Sequence, residues 1–185
     1  MSVILNICNT AFYHKKALFI MNHLTPRSAT VNDVALIQQL ANQIWHDYYP
    51  IMISVAQVDY MLDMIYSTEK LIIDITQQRI IFTVFESQQQ AEGFLGCVLK
   101  PDEVFVNQVY LKTAYHGRGW GQQMLHYAEQ FALQHQRSSL SLRVNKDNVK
   151  AIQAYKRAGF EQVEALCTEI GNGFVMDDYV MRKSL

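Results

Sequence analysis

Three glycines at alternate positions, Gly117, Gly119 and Gly121, most constrain how this chain can fold. They follow an apolar run from Val104 to Leu111 and precede five apolar residues at helical spacing, namely Met124, Leu125, Ala128, Phe131 and Ala132. The pattern predicts a strand, a glycine loop and a helix start. Because glycine tolerates positive φ and has no side chain, successive backbone N–H groups can converge on one anion ahead of the helix. A phosphate group is the anion that this arrangement favours.

The glycine pattern alone has two interpretations. It can hold a phosphate, or it can be a turn that only starts a helix close against a sheet. No Lys-Ser/Thr pair follows the loop as in a P-loop, and the glycine spacing is not the full Gly-x-Gly-x-x-Gly of dinucleotide sites. A second motif is therefore needed to choose between the two interpretations.

That second motif lies downstream, in the segment from Asn145 to Phe160. Asn148, Ala151, Tyr155 and the Gly159-Phe160 pair, at these distances from the glycine loop, resemble the second signature of the GNAT superfamily of acyl-CoA-dependent N-acyltransferases. The glycine loop is similar to the pyrophosphate loop of that superfamily, which usually reads Gln or Arg, two residues, Gly, one residue, and Gly or Ala. His116 occupies the Gln/Arg position here, a departure that is mild where the contact is made by the backbone N–H.

The resemblance extends from about Thr25 to Leu185 and implies an α/β (α+β) protein of GNAT type. It predicts a mixed, mostly antiparallel twisted sheet of about seven strands with helices on both faces, in one domain over residues 24–185. The apolar periods agree, since they predict strands and helices in the order of that fold. Strands are expected at 25–29, 79–86, 93–100, 104–112, 139–145, 160–168 and 174–183. Helices are expected after a capping box from Thr30 to Asp33, after a cap at Ser54, from about 68, after the glycine loop and from about 148.

The resemblance also implies acetyl-CoA as co-substrate, with a site for each part of it. The predicted cofactor-binding residues are the strand end Val109, Tyr110 and Leu111, the loop His116, Gly117, Arg118, Gly119, Trp120, Gly121 and Gln122, and Asn148. The fourth strand is expected to bulge and part from the fifth, which exposes backbone groups to the pantetheine arm.

Several of these residues have a purely structural alternative. Arg118 either neutralises a phosphate or is a solvated surface arginine. Trp120, four residues before Met124, is interpreted in the first place as a core or helix-packing residue. Asn148 either holds the pantetheine through its side-chain amide or only caps the helix that it opens.

Tyr155 is the predicted catalytic residue, two helical turns after Asn148 on the same face. The resemblance implies that its phenol protonates the leaving CoA thiolate, and the alternative is a plain core tyrosine. No catalytic base is assigned, because Phe105, Asn107 and Gln108 occupy the strand-four positions where several family members place a Glu. The Asp177-Asp178 pair on the last strand is interpreted as an exposed acidic turn or a site residue.

The acceptor is predicted to be a primary amine, in the first place a small cationic amine such as a polyamine. The helical insert after the first strand mixes aromatic, methionine and acidic side chains that could line a pocket for a cation, namely Tyr48, Tyr49, Tyr60, Tyr66, Met52, Met61, Met64, Asp47, Asp59, Asp63 and Glu69. A protein or peptide amine, and an acyl-CoA-binding module without turnover, remain the alternatives.

Composition excludes several classes of protein. The 185 residues carry a formal charge of -1, and half of them are apolar, which favours one globular core and gives no basis for nucleic-acid binding. The cysteines, Cys8, Cys97 and Cys167, and the six histidines lack disulfide or zinc spacing. No metal is therefore expected, and the thiols are interpreted as buried in a reducing, cytoplasmic compartment.

Residues 1–23 are interpreted as an N-terminal extension. Lys15 and Lys16 follow the apolar stretch instead of preceding it, unlike a signal peptide, and the stretch is too short and too polar to span a membrane. An extension from an alternative start site and a swapped or packing arm, as a homodimer would use, are both open interpretations.

Overall fold

The computed structural model describes residues 24–185, so the predictions for residues 1–23 lie outside the described residues. The described chain contains seven strands, β1 (Thr25–Ser28), β2 (Ile81–Ser87), β3 (Gln90–Leu99), β4 (Glu103–Leu111), β5 (Ser139–Asn145), β6 (Glu161–Gly171) and β7 (Phe174–Ser184). Its α-helices are α1 (Val34–Tyr48), α2 (Val55–Tyr66), α3 (Thr68–Thr76), α4 (Trp120–Gln134) and α5 (Val149–Arg157). Short 3-10 turns occur at Val31–Asp33, Tyr49–Ile51 and Thr113–Tyr115.

The seven strands form one sheet in the order β1-β2-β3-β4-β5-β7-β6. Neighbouring strands are antiparallel except for β4 and β5, which are parallel. A parallel pair needs a crossover connection, which the glycine loop and α4 supply. The prediction of a mixed, mostly antiparallel sheet of seven strands is confirmed.

Helices cover both faces of the sheet and bury two separate cores. On one face, the apolar side of α4 packs on β4 and β5, with Met124 and Ala128 fully buried. On the other face, α1, α2 and α3 bury Ile37, Val58 and Leu71. The apolar stripes predicted for these helices are therefore their buried faces, and helices on both faces are confirmed.

Side-chain caps set the helix starts. Thr30 and Asp33 form the predicted capping box, in which the Asp33 carboxylate accepts a hydrogen bond from the Thr30 backbone N–H at 2.8 Å. The Ser54 hydroxyl accepts one from the Gln57 backbone N–H at 3.1 Å and so starts α2. The first cap opens the 3-10 turn that leads into α1, the second starts α2, and both helices begin where the sequence predicts them.

A bulge in β4 changes which side chains of the strand point to each face of the sheet. In the pairing with β3, Gly96 lies opposite Gln108 and Cys97 lies opposite Val106, so Asn107 is an extra residue. One extra residue reverses the in-and-out alternation beyond it. Val106 consequently faces the α4 core, while Tyr110, four residues later, faces the core under α1 and α2.

The parallel strands β4 and β5 separate at the level of the bulge. Their pairing runs from Glu103 opposite Ser139 to Val106 opposite Leu142, whereas β4 continues to Leu111 and β5 to Asn145. A gap therefore opens between the two strands on the side of the glycine loop. This separation was predicted from the family resemblance and is confirmed.

The thiols have unequal surroundings. Cys97 is buried in β3, but Cys167 is exposed on β6, so the prediction of buried thiols is wrong for Cys167 because β6 is an edge strand. Within residues 24–185, no helix has the length and apolar character needed to cross a bilayer. In the same residues, no three His, Cys, Asp or Glu side chains are grouped as a metal ion would require.

Candidate active site

The glycine loop presents consecutive backbone N–H groups ahead of α4. Gly117 and Gly119 have positive φ, 76° and 82°, which turns the chain sharply into the helix. Across residues 24–185, no group accepts a hydrogen bond from the backbone N–H of residues 117–121. Free N–H groups at a helix N-terminus form an anion-binding site.

The loop glycines leave space that no part of the protein fills. A Cβ added at Gly117, Gly119 or Gly121 meets no described heavy atom within 4 Å. Gly121 has no positive φ either, so neither packing nor backbone conformation demands glycine at that position. The open space in front of the N–H groups fits a bound anionic group such as a pyrophosphate.

His116 closes the side of the loop nearest β4. Its Nε2 lies 2.9 Å from the Leu111 carbonyl oxygen, and its ring meets the Tyr48 ring edge-on at 5.4 Å. Its backbone N–H donates to the Thr113 carbonyl at 3.1 Å because the 3-10 turn ends there. This N–H is therefore used within the protein, and the free N–H groups begin at Gly117.

Arg118 and Trp120 leave the loop in different directions. The Arg118 side chain is exposed, with its guanidinium carbon 5.4 Å from the centroid of the Tyr115 ring. Trp120 is buried and stacks on Tyr115 with ring centroids 4.4 Å apart. The Trp120 indole is thus a core group, and only its backbone N–H faces the anion site.

A buried carboxylate holds the base of the loop. Glu92 of β3 accepts hydrogen bonds from the Lys112 ammonium at 2.9 Å and from the Tyr115 hydroxyl at 2.8 Å. Lys112 also donates to the Ala91 carbonyl at 2.8 Å. Sequence reasoning did not select Glu92, although it is the one charge within the otherwise apolar β3 run before Lys100.

The end of β4 points free backbone groups into the gap. Lys112 donates its backbone N–H to the Glu92 carbonyl, and successive peptide groups of a strand point to opposite edges. Val109 and Leu111 therefore direct their N–H and C=O groups towards β5, with which β4 no longer pairs there. The Leu111 carbonyl is bonded to His116, which leaves the peptide groups of Val109 for a ligand.

Asn148 caps α5 and borders the gap. Its Oδ1 accepts hydrogen bonds from the Ala151 backbone N–H at 3.2 Å and from the Tyr48 hydroxyl at 2.8 Å. The cap interpretation is confirmed, and it leaves the side-chain NH₂ without a partner among the described residues. Tyr48, which sequence reasoning did not place in this role, ties α1 to the start of α5.

Two cavities meet at the gap between β4 and β5. The smaller has a volume of about 370 Å³ and extends from the glycine loop along α5. It is lined by the predicted site residues except Arg118, Gly119 and Trp120. The larger, of about 660 Å³, lies between the sheet and helices α1 and α2. Five residues line both cavities, Tyr49, Val109, Tyr110, Asn148 and Tyr155.

Tyr155 presents its phenol where the cavities join. The residue is half-buried, and its hydroxyl has no hydrogen-bond partner within the described part of the chain. Burial, with a smaller contribution from Tyr48, raises the pKa of Tyr155 to about 12. The phenol therefore stays protonated at neutral pH, as a proton donor requires.

The larger cavity has aromatic walls and charged side chains of both signs, and its acids come from the strands. Trp45, Tyr49 and Tyr66 line it from the helical side. The predicted acids of the helical insert, Asp47, Asp59, Asp63 and Glu69, are exposed and line neither cavity, so that expectation is wrong. They lie opposite the apolar stripes that pack on the sheet. The carboxylates that do line the cavity are Glu103, Glu164 and Asp178.

The Asp177-Asp178 pair divides between the two faces of β7. Asp177 is ion-paired with Lys146 and lines neither cavity. Asp178 is 5% exposed and lines the larger cavity, so the interpretation as an exposed acidic turn is wrong for it. Its alternation with Met176 and Val180 is the sequence signal that could have placed it there.

Comparison with known proteins identifies the family. The model of the acetyltransferase (GNAT) family matches residues 38–160. An uncharacterized N-acetyltransferase of Methanocaldococcus jannaschii is 28% identical over 92 residues, which are 46% of this chain and 41% of the relative. The match with this curated relative therefore spans less than half the relative's length.

Solved structures share the fold over most of the chain. The PaiA N-acetyltransferase of Thermoplasma acidophilum in complex with coenzyme A superposes with a TM-score of 0.76 at 21% identity, covering 88% of this chain and 99% of that one. The ribosomal-protein-S18-alanine N-acetyltransferase of Escherichia coli gives a TM-score of 0.67 at 15% identity, covering 88% and 94%. With the family model matching well over half of its residues, the chain belongs to the GNAT family of acetyltransferases.

Proposed function

We propose that the protein moves an acetyl group from acetyl-CoA directly to a primary amine held in the larger cavity. The observation that carries this proposal is that two cavities of different character share five residues at one gap in the sheet. A thioester in the smaller cavity and an amine in the larger one would meet beside Tyr155. Such juxtaposition supplies much of the rate advantage of a two-substrate enzyme.

The smaller cavity is suited to acetyl-CoA along its length. The free N–H groups of residues 117–121 would hold the pyrophosphate, and the exposed Arg118 side chain could approach it from the solvent side. The Val109 peptide groups would bind the pantetheine arm or polarise the acetyl carbonyl. The Asn148 side-chain NH₂ is a further donor for the arm.

Direct transfer is favoured over a covalent acetyl-enzyme. Cys97 and Cys167 line neither cavity, and burial raises the pKa of the Cys97 thiol to about 12, far above that of a reactive thiolate. The amine nitrogen would then attack the acetyl carbon itself, and the Tyr155 phenol would protonate the departing sulfur.

The acceptor that we propose is a small cationic amine, with polyamines as the first candidates. A cavity of about 660 Å³ falls within the range of roughly 300–1,000 Å³ that is usual for small-molecule sites. Its aromatic walls and the carboxylates of Glu164 and Asp178 suit an alkylammonium chain, through cation–π contacts and charge pairing, whereas Glu103 is already paired with Lys100 and Arg182. A peptide amine is the alternative acceptor, since the same fold occurs in an S18-alanine N-acetyltransferase.

A second candidate function is an acyl-CoA-binding module without turnover. The observation that favours it is that Phe105, Asn107 and Gln108, which line the cavity from the middle of β4, have no side chain that can take a proton. Such a protein would bind acetyl-CoA but release no CoA thiol with any amine.

One assay separates these functions. Release of the CoA thiol from acetyl-CoA is followed across polyamines, amino acids, aminoglycosides and peptides with a free N-terminal alanine. We expect the highest kcat/KM with a polyamine such as spermidine. Turnover on a peptide with none on any polyamine would overturn the choice of acceptor. Binding of acetyl-CoA without turnover on any amine would favour the binding module.

A further inference from the structure

Asp178 is a buried carboxylate without a partner in the larger cavity. Only 5% of the residue is exposed, yet within residues 24–185 its oxygens make no hydrogen bond and no ion pair. An isolated buried carboxylate is costly, and proteins retain one mainly where a partner arrives with a ligand. Asp178 therefore requires an explanation outside the fold itself.

The direction of the side chain follows from the register of β7. Met176, Asp178 and Val180 line the larger cavity, whereas Tyr179 and Met181 pack into the α4 core. Across the neighbouring strands, Asn145 and Leu166 lie opposite Asp178. Its carboxylate is thus on the cavity face of the sheet, at the level where β5 has already separated from β4.

The charged groups around Asp178 leave it unneutralised. Arg143 of β5 and Glu164 of β6 occupy the adjacent row on the same face, both opposite Val180, and both are exposed. Lys146 is held by Asp177 on the other face of β7. The helical wall offers the uncharged Trp45, Tyr49, Gln57 and Tyr155, together with Lys70, which pairs with Asp74.

This environment also adjusts the basicity of the carboxylate. Burial is the largest influence on the pKa of Asp178 and raises it. The positive charges of Arg143 and Lys146 lower this pKa, and the negative charge of Asp177 raises it further. A carboxylate with a raised pKa is a stronger base while it is still ionised at neutral pH.

We infer, on the basis of the proposed acetyl transfer, that Asp178 binds the ammonium group of the acceptor and then takes its proton. The ammonium gives one proton to the carboxylate and becomes a neutral amine. The amine nitrogen forms a bond to the acetyl carbon, the carbon–sulfur bond breaks, and the thiolate takes the Tyr155 proton. The nitrogen then gives a second proton to the Tyr155 phenolate, which restores the phenol. Asp178 releases the proton that it took from the ammonium to solvent when the products leave.

The test compares Asp178→Asn with the matched control Asp177→Asn. Each variant replaces one of two adjacent carboxylates by an amide of the same shape, but only Asp178 lines the cavity. Calorimetry measures the affinity for spermidine and for acetyl-CoA. Thiol release measures kcat/KM for spermidine between pH 5 and pH 10.

We expect Asp178→Asn to keep its acetyl-CoA affinity, to bind spermidine about tenfold more weakly or worse, and to lose about 10²-fold in kcat/KM at pH 7. The wild-type kcat/KM should rise as Asp178 ionises and then level off. In Asp178→Asn this rise of kcat/KM with pH should vanish, and kcat/KM should instead follow the fraction of spermidine that carries an unprotonated amine. Asp177→Asn should stay within about threefold of the wild type, because Asp177 lines neither cavity and burial, the main influence on Asp178, is retained.

Stability distinguishes this role from a structural one. Burial raises the pKa of Asp178 in the folded state, so protonation of this carboxyl favours the folded state. Its contribution to the free energy of unfolding is therefore complete below the usual aspartate pKa, and it is lost as the pH rises through the raised folded-state pKa. Asp178→Asn should therefore be at least as stable as the wild type at pH 7. Lower stability together with weaker acetyl-CoA binding would make Asp178 a structural residue and overturn the inference.

The remaining outcomes separate this inference from the proposed function. Equal spermidine affinity and equal kcat/KM in the two variants would overturn the role of Asp178 while leaving acetyl transfer intact. If the wild type acetylates no amine, the acetyl transfer fails. A selective loss of spermidine affinity in Asp178→Asn would then still support Asp178 as the ammonium-binding residue. Equal spermidine affinity in Asp178→Asn and Asp177→Asn would overturn that role as well.

Discussion

At the scale of single residues, the unpartnered phenol of Tyr155 decides whether chemistry takes place at the gap. We predict that Tyr155→Phe keeps the affinity for acetyl-CoA while kcat falls about 10²-fold, because the thiolate loses its proton donor. Calorimetry and thiol release measure the two quantities separately. Tyr127→Phe is the matched control, since Tyr127 is also a half-buried tyrosine but lines neither cavity. An unchanged kcat in Tyr155→Phe would remove the phenol from the mechanism.

Gly121 tests the anion site without disturbing the backbone. A substitution at Gly119, where φ is 82°, would combine backbone strain with any effect on the ligand, whereas Gly121 has no positive φ. We predict that Gly121→Glu weakens acetyl-CoA binding about 10²-fold or more through charge repulsion. Its folding should not suffer, because an acidic side chain is favourable in the first turn of α4.

Gly121→Ala is the control for that variant. Its methyl group meets no described atom, so affinity should stay within about threefold of the wild type, and Ala exceeds Gly in helix propensity. Calorimetry with acetyl-CoA and thermal unfolding measure both variants. Similar affinities for Gly121→Glu and Gly121→Ala would place the pyrophosphate elsewhere.

At the scale of elements, Glu92 links β3 to the glycine loop. We predict that Glu92→Gln lowers the free energy of unfolding by about 1–3 kcal/mol, because the half-buried Lys112 and Tyr115 lose the charged acceptor that the buried Glu92 provides. Acetyl-CoA affinity should fall in parallel as the loop loses its support. Denaturant unfolding and calorimetry measure the two effects.

Glu129→Gln is the control for the Glu92 variant. Glu129 pairs with Lys183 across α4 and β7, where both groups are partly solvated, so its loss should cost at most about 1 kcal/mol. Acetyl-CoA affinity should not change. If both variants bound acetyl-CoA like the wild type, the Glu92 contacts would matter for stability alone.

At the scale of the whole molecule, the meeting of the two cavities requires both substrates to be bound together. Initial rates at varied acetyl-CoA and spermidine should therefore give intersecting double-reciprocal lines. Parallel lines, or an acetylated enzyme after incubation with acetyl-CoA alone, would indicate a covalent route. Mass spectrometry of the intact protein provides the second measurement.

The sequence by itself determined the features that depend on local spacing. The alternate glycines, the caps at Thr30 and Ser54, and the apolar periods placed the loop, the helices and the strands correctly, because each depends on residues within a turn or two of one another. The combination of the glycine loop with the Asn148-to-Phe160 motif predicted the family that the family model confirms. These are the parts of the structure that neighbouring residues specify.

Tertiary structure decided which side chains reach the cavities. The family resemblance predicted a bulge in β4 but not its position, because no local pattern fixes a bulge that depends on pairing with β3. The extra residue Asn107 reverses the faces of β4, so Tyr110 joins the acceptor side. The acids of the helical insert face solvent, while Asp178 is buried among residues from β5 and β6. Burial and partners arise from segments distant in sequence, and for that reason only the folded chain shows where the carboxylates lie.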